Sequence, residues 1–182
     1  LGVRAVGGLP ALDENALGEA WADLGASFGG GAGGDRMSFT LRSLTDPALL
    51  PRAVQLAARQ LGEPAFDAAI WERDRQRVSA SLRGANTRPG TLAGRTVSQA
   101  VYGSHPYGFQ TTPESLARIS VADMQALYAR SILPCRAKVS VVGAVGRDQA
   151  DTLVQQRLAR LPQTACAPLP RGGEVQPLAR GS

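Results

Sequence analysis

Hydrophobic positions along this chain change period several times, and each change marks an element. Leu17, Ala20, Trp21 and Leu24 recur at spacings of three and four behind Asp13 and Glu14, with Gly25 just after them; this predicts a helix over about 13–24. Residues 26–28 can start a strand, and Met37, Phe39, Leu41 and Leu44 alternate with polar neighbours at period two, so the two segments are expected to pair as a hairpin. Five glycines within 29–34 predict a turn or flexible tip between them. Asp46 followed by Pro47 caps a helix over 47–61, whose stripe is Leu50, Val54, Ala57, Ala58 and Leu61, closed by Gly62.

Asp67 caps the next helix, which carries Ile70, Trp71, Val78 and Leu82 to about 83, and Arg88-Pro89 starts another over about 90–101. Thr112-Pro113 opens a short helix, and Ser120 with Asp123 makes a capping-box-like start for one ending near 131. The β-branched, apolar run 138–145 suits a buried strand. Ala150, Leu153, Val154, Leu158 and Leu161 then return to helical spacing over 147–161. Trp21, Trp71, Phe39 and Phe66 sit on apolar stripes and are read as core. Two early strands, a cluster of helices and a late strand are not a repeating β-α-β pattern, so the class is α+β.

Length and composition narrow this little. The chain has 182 residues, 43% of them hydrophobic, enough for one domain over 1–162; residues 163–182, rich in proline and glycine, read as a linker or tail. No apolar run reaches the roughly 18–20 residues a spanning helix needs, and no basic stretch leads into an apolar block at the N-terminus. The net charge of +5 raises nucleic-acid binding, but Lys138 is the one lysine and the arginines are interleaved with acids, as in Glu72-Arg73-Asp74-Arg75-Gln76-Arg77. That is a solvated helix face, so nucleic acid is not expected as a partner. Cys135 and Cys166 have no metal-type spacing; one bridge is open to them in an oxidising compartment, and two unpaired thiols are the expectation.

Candidate chemistry is sparse. No Gly-Lys-Ser/Thr follows the glycine tract, which excludes a phosphate loop, and no Gly-x-Ser-x-Gly sequence supports a serine nucleophile. His105 is the only histidine. A single imidazole in a proline-flanked loop is read as a packing or hydrogen-bonding element.

The order of motifs over 102–143 carries more. It runs Tyr102-Gly103-Ser104-His105-Pro106-Tyr107-Gly108, then Glu114-Ser115-Leu116, then Ile119-Ser120 with Asp123-Met124, and ends at Val142-Gly143. It resembles the pitrilysin/insulinase (M16) family of zinc metallopeptidases. The resemblance implies a repeated α/β domain of the LuxS/MPP-like metallohydrolase type, a mixed, largely antiparallel sheet covered by helices, with two or four such domains forming a clamshell around a peptide. In the catalytic repeat of that family, a His-x-x-Glu-His helix and a downstream glutamate hold zinc, leaving a position open for water. The resemblance places the His-x-x-Glu-His positions before Leu1 and Asp23-Leu24-Gly25-Ala26 on the segment that follows them. The fold is therefore expected to be incomplete at its N-terminus, leaving a sheet edge and apolar helix faces open to self-association.

The family's Glu-Arg-x-Arg signature falls on Glu72, Arg73 and Arg75, with the ligand glutamate nine residues after the first Glu. Here that position is Ser81, and no glutamate lies between Glu72 and Glu114. A hydroxyl neutral at pH 7 is a poor substitute for a carboxylate on zinc. Asp74 stands where the family has a supporting acid, although an ion pair with Arg73, Arg75 or Arg77 is the plainer reading. Glu72, Arg73, Arg75, His105, Pro106, Tyr107 and Gly143 are then structural motif positions, and the chain by itself is expected to bind no zinc and to be inactive. The resemblance implies a non-catalytic repeat that walls a peptide chamber beside a catalytic repeat or subunit holding the zinc, with the periplasm as compartment. Two alternatives are a fragment of an active zinc endopeptidase whose motif lies upstream of Leu1, and a structural assembly subunit with no part in proteolysis.

Overall fold

The computed structural model describes residues 2–168, and these fall into two compact units: residues up to 67 together with 125–166, and residues 68–124. The class is α+β, seven helices with one antiparallel two-stranded sheet among the described residues.

In the first unit, α1 (Glu14–Asp23) starts on Asp13, whose carboxylate accepts from the Ala16 amide at 2.8 Å. The hairpin follows as β1 (Ser27–Gly33) and β2 (Arg36–Arg42), paired from Ser27↔Arg42 to Gly33↔Arg36. The glycine tract is therefore strand rather than tip, which corrects the sequence reading. The turn is only Gly34-Asp35, with Gly34 at φ +54°, the positive value that tight hairpin turns demand. Glycine serves the strand through close approach: a Cβ on Gly30 would lie 2.8 Å from the ring of its partner Phe39. Phe39 in turn stacks on Phe28, and Phe28 on Trp21.

α2 (Leu49–Gly62) supplies most of the core. Asp46 accepts from the amides of Ala48 and Leu49, and the predicted stripe, Leu50, Val54, Ala57, Ala58 and Leu61, is buried throughout. Val3, Leu17, Trp21, Leu24, Ala53, Leu56 and Ala57 form one cluster beneath the hairpin. α7 (Arg147–Leu158) packs on α2, and Leu161 is buried just beyond it.

Two further predictions fail in this unit. Residues 138–145 form no strand: Val139, Val141 and Val142 are exposed, Val142 to 98%. β-Propensity reflects the fit of branched side chains to a neighbouring pleated surface, and no described strand pairs with this run. Nor are the cysteines free. Cys135, in the 3₁₀ turn Pro134–Arg136, is disulfide-bonded to Cys166. The expectation of unpaired thiols rests on the composition of the segment around Cys166, and a solubilising composition does not prevent a segment from being tied down covalently. Residues 169–182 of the expected tail lie outside the described residues.

The second unit contains α3 (Ala68–Ala85), α4 (Pro89–Tyr102) and α5 (Pro113–Ala117), and α6 (Val121–Ser131) begins in it. α5 opens on a full capping box between Thr112 and Ser115, and Ser120 and Asp123 exchange hydrogen bonds at the start of α6. Trp71 is half-buried, its indole N–H donating to the Ile119 carbonyl at 3.2 Å. Phe39 and Phe66 are half-buried as well, so of the four aromatics read as core only Trp21 is.

Candidate functional site

α3 presents the positions singled out by the motif resemblance. Arg75 and Gln76, three and four residues on from Glu72, both reach its carboxylate, Gln76 at 2.9 Å. The Gln76 amide first, and then the Arg75 guanidinium, hold the Glu72 carboxyl below the ordinary glutamate range. Arg75 also donates to the Ala117 carbonyl at 3.4 Å, joining α3 to the end of α5. Glu72, Arg75, Ser79 and Arg83 line a shallow cleft of about 260 Å³ with Pro113 and Ala117.

Asp74 pairs with Arg77 at 3.2 Å and with Arg73 at 3.8 Å. Ser81 is exposed. His105 is used at the turn it precedes: its Nδ1 accepts from the Tyr107 amide at 3.2 Å, and its ring meets that of Tyr107 edge-to-face. Pro106, Tyr107 and Gly108 form that 3₁₀ turn. Gly143, at φ +154°, ends the apolar run at 138–142.

These donors do not fit a zinc centre. Ser81 is a neutral hydroxyl, Asp74 is engaged by two guanidiniums, and the lone imidazole has one nitrogen committed to the main chain. Among the described residues no group of three or more His, Cys, Asp or Glu side chains lies together as a metal site would need.

The first unit has a groove that the sequence reading misses. Leu50 and Val54 of α2 and Leu153 and Val154 of α7 line it together with Leu41 at the end of β2 and Val141 of the unpaired run, around about 300 Å³. Arg157 belongs to the same surface. Its guanidinium lies 5.4 Å over the Phe28 ring and donates to the Phe39 carbonyl at 3.1 Å, and burial lowers its pKa. The signal for this groove is the valine-rich run itself, an apolar segment suited to the interior for which the sequence offers no evident partner strand.

No helix among the described residues is long and apolar enough to cross a membrane. No protein-family model and no curated protein matches the sequence. Solved structures do. A peptidase M16 inactive domain from Pseudomonas fluorescens superposes with a TM-score of 0.82 at 28% identity, over 90% of this chain and 40% of that one. The periplasmic protease PqqL from Escherichia coli gives 0.73 at 17% identity, over 95% of this chain and 18% of its own. Pitrilysin gives 0.65 at 20% identity, over 86% and 17%. The chain thus spans less than half the length of each of these neighbours. Its fold is that of the M16 peptidases, and it resembles an inactive domain of that family.

Proposed function

We propose that this chain is a non-catalytic domain of an M16-type zinc protease, forming part of the wall of a peptide-binding chamber beside a catalytic domain or subunit. The observation that carries the proposal is Ser81. The position that the motif register assigns to the third zinc ligand holds an exposed hydroxyl, and the supporting acid, Asp74, is neutralised by Arg73 and Arg77. The 28% identity to a domain described as inactive supports the same reading.

The groove of the first unit is where an extended peptide would lie. Leu50, Val54, Leu153 and Val154 give it an apolar floor, the exposed Val139 and Val141 line it as well, and Arg42, Thr45 and Arg157 add polar groups at its edge. The periplasm suits both the disulfide and the likeness to a periplasmic protease. Zinc and the hydrolytic step then belong to the catalytic partner, and this chain contributes shape and apolar contact.

Zinc content by elemental analysis after dialysis tests the reading on the full-length protein that carries this domain, with Ser81→Glu run in parallel. The expected result is less than about a tenth of an equivalent beyond the one held by any catalytic domain of that protein, since a three-ligand site retains its metal through dialysis. A further full equivalent in the unmutated protein would overturn both the register that assigns Ser81 and the non-catalytic reading.

A further inference from the structure

We infer that the Cys135–Cys166 bridge is a redox lock on the wall of the groove: closed, it fixes the start of the 138–145 run, and opened, it frees that run while leaving the helical floor in place. The order of the wall does not depend on what occupies the groove.

The wall has little else to hold it. It belongs to no strand, so no ladder of main-chain hydrogen bonds fixes it, and its valines are largely in solvent. Its two ends are anchored unequally. Downstream, α7 packs on α2; beyond it Leu161 is buried, and Arg160 pairs with the buried Glu63 at the end of α2. Those contacts do not involve the disulfide. Upstream, α6 is tied to the end of α2 by the Tyr128 hydroxyl, which donates to the Leu61 carbonyl, and Leu133 is buried; between Leu133 and the wall, the bridge from Cys135 is the covalent tie. The bridge closes a 31-residue separation that contains the whole wall and all of α7. Cys135 is exposed, so a reductant or an exchanging thiol can reach it.

The chemistry balances as ordinary exchange. The two thiols give up two protons and two electrons to a disulfide-bearing oxidant, small or protein-borne, which leaves as two thiols. A dithiol reductant runs the same steps in reverse. An oxidising compartment therefore delivers the domain with its wall set, and a reducing one delivers it with the wall loose.

Hydrogen exchange read by mass spectrometry on the full chain tests this, comparing the oxidised protein, the phosphine-reduced protein, and the Cys135→Ser/Cys166→Ser double variant. The oxidised form should show no titratable thiol when denatured. On reduction, peptides from 134–145 should exchange at least about tenfold faster, while α2 and α3 keep their rates; the double variant should match the reduced protein. Three results would overturn the inference: equal exchange of 134–145 in both redox states, two free thiols after refolding in oxidised glutathione, or acceleration that extends equally through α2. The last would make the bridge a global staple. None of these readouts depends on zinc or on peptidase activity, so failure here is distinct from failure of the functional proposal.

Discussion

Removing the Glu63 carboxylate should destabilise the first unit far more than removing any other charge among its described residues. Its side chain is 6% exposed and meets Arg59 at 3.3 Å as well as Arg160. Arg59 is also nearly buried and donates at 2.7 Å to the Pro10 carbonyl, while the Glu63 carbonyl accepts from the Arg4 amide at 2.9 Å. Glu63, through its carboxylate, its main-chain carbonyl and Arg59, thus ties the N-terminal segment, the end of α2 and the segment just after α7. Breaking a buried pair by deleting one partner typically costs about 3–5 kcal/mol. Here the figure should be smaller, because Arg160 is 38% exposed and can turn to water, and Arg59 keeps the Pro10 carbonyl. We expect about 2–3 kcal/mol for Glu63→Ala. Glu63→Gln keeps the volume and one amide acceptor but loses charge assistance, which sets it at about 1–1.5 kcal/mol. Urea unfolding followed through the fluorescence of the buried Trp21 reads both, with Trp71→Phe as the background to remove the second indole. The order wild type, Gln, Ala is required. Ala within about 0.5 kcal/mol of wild type, or Gln as damaging as Ala, would refute the reasoning, the first because the knot does not form and the second because charge is irrelevant to it.

Three further outcomes follow from single residues. Gly62→Ala places a Cβ 2.6 Å from Arg160 Cβ and 2.7 Å from its carbonyl oxygen, so overpacking of about 1–3 kcal/mol should outweigh the helix-propensity gain of at most about 1 kcal/mol at the last helical position, and urea midpoints should fall. Burial pushes the Tyr128 hydroxyl up to about 12, and that hydroxyl donates to the Leu61 carbonyl at 2.8 Å. The raised folded value makes its contribution complete below pH 10 and progressively lost between about 10 and 12, so unfolding free energy should drop across that window in wild type and less steeply in Tyr128→Phe. Arg75→Ala should move the Glu72 carboxyl back towards the ordinary glutamate range without restoring it fully, because Gln76 remains, as carboxyl NMR titration would show.

What is legible in the sequence is what local chemistry decides. Asp13, Asp46, Thr112 and Ser120 cap where their spacing predicts, and the stripe on α2 is buried residue for residue. In each case the donor, acceptor or apolar face lies within one or two turns of the residue that signals it. The failures turn on partners beyond the next helical turn, or on the lack of one. The glycine tract is a strand because Phe39 lies across it, and the disulfide depends on Cys166 coming back to Cys135 after an entire helix. Charge on α3 is legible in kind, and its pairings follow helical spacing: Glu72 with Arg75 and Gln76, Asp74 with Arg77.

α4 shows where periodicity stops being informative. Its apolar residues Val97 and Val101, one turn apart, and Leu92, on another side, are all exposed, whereas the half-buried face is Thr91, Arg95, Ser98 and Tyr102. That face is held by polar contacts, Arg95 to Asn86 and Gln110 to Ser98. Regular spacing of apolar residues fixes the period of a helix and the existence of two faces, but which face meets the rest of the unit is settled by what the neighbouring segments offer. Here those neighbours are a loop asparagine and a loop glutamine, so the polar stripe turns inward and the large apolar residues are left on the exposed sides. The valine run beside the groove is the β counterpart: side chains suited to a pleated neighbour, with none among the described strands. Both segments are apolar in sequence and exposed in the fold, because composition reports that a surface is to be covered without reporting that the cover comes from within the same chain.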